Sequence, residues 1–460
     1  MSGPAYHGYP LLRIWTPTRQ AWWTVLDSPA LSNAYFDKQP APASTCFCQH
    51  RDMDRLPAGS EYSLIREPPM TRLKTAVFSL IPVIVLLLIL EIAGRIIYPF
   101  DPDKRAMIKA ERDPHVQLSY LSDQGEGLNI FYDIHRHESR YLPFLGWLGV
   151  PNTALATIRT NELGFRDRSL ESDTENEYRI VILGGSTAWG LGASSNENTI
   201  AGAMESELSS GAGDNRSFRV INGAYPGWQS RQELVSLMEF HDEFDPDLVI
   251  AITGWNDMYV LTTGVDPDMQ MRTESLMLAK AVKESLRPMS TMHAIRKVAG
   301  SMGVWRLVVH FREKMRLANP ASSTVNYDTS HAARIIPGMA DRYSTMADFA
   351  KRHGFGLIVA LQPDIYTSGK TLTGEEQSVL NRYLDKYIGM KETYPRYRSD
   401  YLQNLRETMS AQGVQVVDLG GVFDHLSEPV FIDDCHFNDR GYNLIAEFLN
   451  ERISGDFLSK

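Results

Sequence analysis

Two regimes of hydrophobic patterning divide the chain. Residues 75–90 carry no charge, and the stretch 83–90 (VIVLLLIL) is apolar on every face instead of striped, the pattern of a helix surrounded by a nonpolar medium. From Tyr178 onward, short apolar runs alternate with longer amphipathic stretches. The runs at 178–183 (YRIVIL), 218–221, 247–252 (DLVIAI), 355–361 (FGLIVAL) and 414–417 predict strands, while 198–208 and 232–240 predict helices. Strands separated by helices, with no hairpin turns between them, predict a parallel sheet covered on both faces. Segment 269–352, rich in Met, Lys and Arg, predicts a helical insertion between the third and fourth strands and a candidate cap over a site. A last amphipathic helix carries Leu444, Ile445, Phe448, Leu449 and Ile453.

Spanning a bilayer takes about 20 apolar residues. The first run reaches that length by continuing through Glu91 and Arg95 to Tyr98. Glu91 and Arg95 share a helix face and can pair while Arg95 snorkels, Tyr98 suits the interfacial belt, and Pro82 is tolerated inside a membrane helix. Arg72 and Lys74 lie directly before the run and Lys104 and Arg105 follow at a greater distance. The positive-inside rule then leaves the N-terminus cytoplasmic and the rest periplasmic or extracellular. The expected division is an N-terminal extension at 1–69, a transmembrane helix at 70–98 with residues 75–98 in the lipid bilayer, a stalk with an accessory strand and turn at 99–177, and the α/β domain at 178–460. The extension is expected to be disordered in the cytoplasm, or to lie upstream of a natural start at Met70, because its Pro, Ser and Trp residues follow no period.

Charge and cysteine content narrow the function classes. Lys and Arg number 46 against 56 Asp and Glu, a formal net charge of −10, so no overall basic field exists for nucleic acid. The three cysteines are too few for a disulfide framework.

In an open parallel sheet, ligands bind at the carboxyl ends of the strands. The first such loop is Gly184-Gly185-Ser186-Thr187, where Ser186 is a candidate nucleophile; the same turn could equally be a phosphate cradle or an N-cap. The second holds Gly227 and the third holds Asn256, so the amides of Ser186 and Gly227 and the side chain of Asn256 could form a three-donor oxyanion hole. Before the last helix stands Asp433-Asp434-Cys435-His436. There Asp433 can bond the imidazole Nδ1 while Nε2 reaches Ser186. Asp328 and His331 repeat the spacing and are expected to be a decoy, because no preceding strand and no helix of suitable phase accompany them. Asp133, His135 and His137 could bind a metal, but no further ligand completes a pattern. Cys435 is expected to be a packing residue pointing away from His436. Trp189, Trp228 and Trp255 are core residues by default, with a stacked sugar platform as the sharper reading.

Gly185-Ser186, Gly227, Gly254-x-Asn256-Asp257 and Asp433-x-x-His436, in that order, resemble the blocks of the SGNH (GDSL-like) hydrolase superfamily, membrane-anchored members included. The resemblance implies a flavodoxin-like three-layer α/β/α sandwich with a parallel sheet (the SGNH hydrolase fold), here preceded by one transmembrane helix. It implies Ser186 as nucleophile, His436 as base, Asp433 as its orienter, and Gly227 and Asn256 with the Ser186 amide as oxyanion donors. Gly185 stands where the family usually has Asp. The segment 161–166 resembles one that precedes the first strand in membrane-tethered members, with no role assigned. The expectation is a membrane-anchored serine esterase acting on acyl esters, acetyl above all, of an extracytoplasmic polysaccharide, with no metal or organic cofactor needed. The alternatives are an O-acyltransferase using the same triad, lipid-ester cleavage, or a non-catalytic glycan-binding module.

Overall fold

Five parallel strands form the central sheet: β1 (Glu177–Gly184), β2 (Ser217–Asn222), β3 (Leu248–Thr253), β4 (Gly356–Leu361) and β5 (Gln415–Asp418), in the order β2-β1-β3-β4-β5. These coordinates are a computed structural model that describes residues 72–97, 101–122, 126–171, 177–211, 217–264, 302–318 and 322–456. Ile180 to Leu183 and Leu248 to Ile252 are fully buried, as both-face burial of a parallel sheet requires. One face is covered by Ile200–Gly211 packed on Asp439–Asp456. The other is covered by Ser230–Glu239, Thr329–His353 and Met390–Ser410, as right-handed crossovers demand when the strand order reverses at β1. This is the three-layer SGNH hydrolase architecture, with its ligand crevice at the reversal between β1 and β3.

Of the expected insertion and cap, residues 269–301 lie outside the described residues, and the described part differs from a cap. Its described C-terminal part, Thr329–His353, is a sandwich helix whose buried residues, Ile336, Met339, Tyr343 and Met346 among them, face the sheet side. Its Met and Ala positions recur at helical spacing on that face, a core stripe that the basic residues around it obscure in sequence. The stretch Gly303–Ala318 instead packs against the apolar helix Arg72–Ile97. There, a Cβ on Gly94 would overlap the Gly303 backbone, and the Val304 amide donates to Glu91 Oε2 at 3.2 Å. Within Arg72–Ile97, residues Phe78–Ile97 are long and apolar enough to cross a membrane, and their side chains are largely exposed. The Glu91–Arg95 pair is formed at 2.9 Å. The expectation for residues 1–69 lies outside the described residues.

Residues 101–171 are not an extended stalk. They form helices Pro102–Ala110 and Glu126–Arg136 and a hairpin of Ser139–Leu142 with Gly146–Gly149, and Phe131, Leu148, Ile158 and Phe165 join the main core.

Beneath the crevice, the two helices Ser230–Glu239 and Thr329–His353 meet through polar groups. Tyr343 donates to Glu233 Oε2 at 2.6 Å and its oxygen is hydrogen-bonded to the Thr253 hydroxyl, and Asp257 accepts from the Ser230 amide at 2.8 Å and hydroxyl at 3.0 Å. Burial pushes the Glu233 carboxyl up to about 8, with Asp257 adding to the rise and the Tyr343 hydrogen bond opposing it. The folded state therefore keeps a proton that the unfolded chain releases above its ordinary 4.5, and stability falls as pH rises from there to about 8. Thermal melting should show this decline, on the order of a few kcal/mol, and Glu233→Gln should flatten it across that interval; an equally steep decline in the variant would refute the assignment.

Candidate active site

Ser186 follows β1 immediately, at the strand-order reversal, on a single helical turn Ser186–Trp189. His436 and Asp433 come from the far end of the chain, on a loop closed by the Phe431–Phe437 bridge and an Ile432 amide bond to the His436 carbonyl at 3.0 Å. The structure brings the three together in series. Ser186 Oγ donates to His436 Nε2 at 2.6 Å, and His436 Nδ1 donates to Asp433 Oδ2 at 2.6 Å. The other carboxylate oxygen of Asp433 accepts the amides of His436 at 2.7 Å and Cys435 at 2.9 Å, so the side chain is fixed at both oxygens.

Electrostatics separate the two neighbouring carboxyls. Burial pushes Asp433 up, but the charge and hydrogen bond of His436, the charge of His115 and the Cys435 amide outweigh it and hold the group well below the usual carboxylate range. Asp434 goes the other way: burial, with Asp433 beside it, pushes it well above that range, and Tyr366 donates to it at 3.3 Å. One member of the pair is thus kept as the anion and the other as the neutral acid.

Asn256 Nδ2 donates to the Trp228 carbonyl at 2.7 Å, leaving its second hydrogen for another acceptor. A Cβ on Gly185 would overlap Asn256 Nδ2. The glycine standing in place of the usual Asp therefore makes room for the amide of Asn256 beside Ser186. Gly227, at φ +81°, precedes Trp228 in the same turn; this left-handed conformation favours glycine.

Several supporting residues escaped sequence reasoning. Arg166, fully buried, donates to the carbonyls of Gly190 at 2.5 Å, Thr157 at 2.7 Å, Ala193 at 3.1 Å and Ser195 at 3.2 Å, and lies over the Trp189 ring at 4.7 Å. It braces the loop behind Ser186, which gives segment 161–166 a structural role; Asn161 Oδ1 shapes that segment by accepting the amides of Leu163, Gly164 and Phe165. Glu376, paired with buried Lys370 at 2.7 Å, accepts the amides of Val430 at 2.9 Å and Phe431 at 3.1 Å and so holds the strand that leads into Asp433. Arg166 carries no local signature, because most of its partners are backbone carbonyls, whereas Glu376 forms a capping box with Thr373, a signature that marks a helix start and not the triad loop.

Other expectations meet different outcomes. Asp328 caps the helix Thr329–His353, accepting the amides of Ser330 and His331 at 2.9 and 3.0 Å. A helix does begin there, contrary to expectation; what removes the pair from the site is that the carboxylate is spent on capping. Asp133 accepts the Thr157 amide and hydroxyl, and His135 turns instead to Asp113 at 3.1 Å, so the three residues weighed as metal ligands and set aside in the sequence do not converge. Cys435 is buried, yet its Sγ lies 3.6 Å from His436 Nδ1 and does not point away; burial and the neighbouring carboxyls push its thiol well above its ordinary range. Among the described residues, Asp433, Cys435 and His436 are the one group spaced to hold a metal ion, and two of them are engaged in the hydrogen-bond series with Ser186. The sugar platform is not formed. Trp189, Trp228 and Trp255 are 2%, 1% and 6% exposed, with Trp228 Nε1 bonded to the Trp147 carbonyl and Trp255 stacked on Tyr366.

Residues 182–444 match the sequence model of the GDSL-like Lipase/Acylhydrolase family. No curated protein matches the chain. Among solved structures, an α/β hydrolase enzyme from the metagenome of Lake Arreo, Spain, is 13% identical with a TM-score of 0.36, over 61% of this chain and 96% of that one. A GDSL-like lipase from Bacteroides thetaiotaomicron is 11% identical with a TM-score of 0.31, over 62% and 91%. A variant of an acetyl-xylooligosaccharide esterase from Geobacillus is 11% identical with a TM-score of 0.35, over 62% and 96%.

The Arg166 clamp has a direct consequence. Arg166→Ala withdraws the guanidinium from four carbonyls, of which Gly190 keeps the Ala193 amide, and should cost about 3 kcal/mol or more in denaturant unfolding. Arg166→Lys should recover little of it, because an ammonium cannot reproduce the planar fork; full recovery would count against the clamp.

Proposed function

Because the chain belongs to the GDSL-like lipase/acylhydrolase family, we propose that it is a membrane-anchored serine esterase whose catalytic domain lies outside the cytoplasm and removes short acyl groups, acetyl first among them, from an envelope or secreted glycan. The observation that carries this reading is the unbroken hydrogen-bond series Ser186–His436–Asp433. Ser186 Oγ attacks the ester carbonyl as His436 Nε2 takes its proton, and Asp433 holds the imidazole in the required tautomer and stabilises the imidazolium. The amides of Ser186 and Gly227 and the second Nδ2 hydrogen of Asn256 receive the oxyanion. Collapse expels the alcohol, protonated by His436, and water then attacks the acyl-enzyme by the same route. The exposure of Ser186, only 8%, suits a small acyl group, and the exposed apolar helix Arg72–Ile97 suits an anchor that keeps the domain near envelope polymers.

A fluorophosphonate probe should label the full-length protein in detergent and leave Ser186→Ala unlabelled; an unlabelled wild type would favour a binding module. His436→Ala should lower kcat on a short-chain nitrophenyl ester by about 10³-fold or more, whereas His331→Ala should leave it unchanged. With an acetylated polysaccharide and a deacetylated acceptor, release of free acetate supports hydrolysis, and acetyl appearing on the acceptor replaces this reading with acyl transfer. Gly185→Asp should displace Asn256 and reduce kcat about 10²-fold, similar to Asn256→Ala. A wild-type rate in Asn256→Ala would remove Asn256 from the oxyanion site.

A further inference from the structure

Behind the Asp433 carboxylate lies a second histidine–aspartate pair that comes from outside the sandwich. Asp113 and His115 belong to the segment between the helices Pro102–Ala110 and Glu126–Arg136. Asp113 caps the short 3₁₀ turn Pro114–Gln117 by accepting the His115 amide at 3.1 Å, and the same oxygen accepts His115 Nδ1 at 2.5 Å. His135 Nε2 donates to its other oxygen at 3.1 Å, and the His115 ring stacks on Phe131 at 4.9 Å with an interplanar angle of 5°. The ring is therefore fixed in position and plane by the helix Glu126–Arg136. Its free edge, Nε2, stands 3.7 Å from Asp433 Oδ2, the oxygen that accepts His436 Nδ1. Nearby, Tyr120 donates to the Phe431 carbonyl of the triad loop and Ser119 donates through its hydroxyl to Glu375 of the helix Gly374–Lys386 at 2.8 Å, docking the segment on both.

We propose that His115, oriented by Asp113, is a positioning residue for the esterase reaction: a buried imidazolium that holds Asp433 ionised and aimed at His436. The inference rests on the esterase reading above. The side chains of His115 and Asp113 are 15% and 14% exposed, so their charges face each other and Asp433 with little water between them. Burial alone would push the His115 imidazole down; the Asp113 hydrogen bond and the charges of Asp433 and Asp113 reverse that and raise it, opposed by Arg382 from the helix Gly374–Lys386. Asp113 stays anionic for the matching reason: burial pushes it up, and its hydrogen bonds to His115 and His135 outweigh that. The groups facing His115 are thus Asp113 from its own turn, Asp433 from the triad loop and Arg382, with His135 acting through Asp113. Removing the cation leaves one more net negative charge beside the triad. That favours protonated His436, which must be neutral to accept the serine proton.

The test uses the full-length protein in detergent, wild type, His115→Ala, His115→Gln and Asp113→Asn, with nitrophenyl acetate as substrate and active sites counted by fluorophosphonate labelling. His115→Ala should lower kcat per labelled site about tenfold, with KM changed less than about twofold. The acidic limb of kcat/KM should move to higher pH by about half a unit or more in both His115 variants, whereas Asp113→Asn, which removes an anion together with the support of the His115 charge, should move it less. Gln keeps a donor in place of the imidazole but no charge, so His115→Gln should regain melting temperature and not the wild-type limb, an outcome that a purely structural role would not produce. If His115→Ala fails to fold, His115→Gln decides. Wild-type kcat and limb in that variant would overturn the inference while leaving the esterase reading intact; a wild type that neither labels nor turns over would overturn both.

Discussion

The hydrogen bond from Ser186 to His436 is the constraint to which the rest of the sandwich answers, because it joins side chains 250 positions apart. No local preference can produce it. It requires β1 to end at the strand-order reversal and the last loop to return over that end. Several other ties keep the two loops in register. Thr187 Oγ1 donates to the Cys435 carbonyl at 2.9 Å, Ser194 binds Asp439, and Tyr442 donates to the Leu191 carbonyl at 2.6 Å. Each contributes about 1 kcal/mol net, so the closure is distributed, and the serine–imidazole bond itself stays free to exchange its proton.

Polar burial around this closure has a consistent logic. Several buried charges of the sandwich have a specific charged partner: Lys370 with Glu376, Arg398 with Asp364 and Asp418, Arg219 with Asp167 and Glu205. Where no cation is supplied, the carboxyl takes a proton instead, as the rise of Asp434 and Glu233 indicates. The same rule, applied twice within two adjacent residues, keeps Asp433 as an anion and Asp434 as an acid.

The strands were legible because each is a contiguous apolar run, and their ends moved by one residue or so on folding: 178–183 became Glu177–Gly184, and 355–361 became Gly356–Leu361. Ser186, Gly227, Asn256, Asp433 and His436 were legible as candidates because the parallel sheet fixes which loops share an edge. Their catalytic roles rest on the chemistry proposed above. Thr329–His353 was misjudged because its core stripe of Ala, Met and Tyr is diluted by charged residues on the exposed side. The role of Arg166 was invisible for a different reason: the carbonyls it binds carry no sequence, and Glu376 is legible only as the capping residue of its own helix.

The accessory segment bears on how the domain can be divided. A passive tether would present polar residues to water and contribute nothing to the core. Here Phe131, Phe165 and Leu148 are buried with the sheet, Asp167 accepts the Asn222 amide at the end of β2, and His115 reaches Asp433. Cutting the chain just before β1 would remove these groups and expose apolar surface, that of Trp228, Phe240 and Phe244 against Phe165 included. The functional unit by this physical criterion begins near Pro102, at the start of the first helix described after the apolar one. Its distance in sequence from Ile97 is short, so whatever fixes the apolar helix in place also limits how far the triad can stand from it.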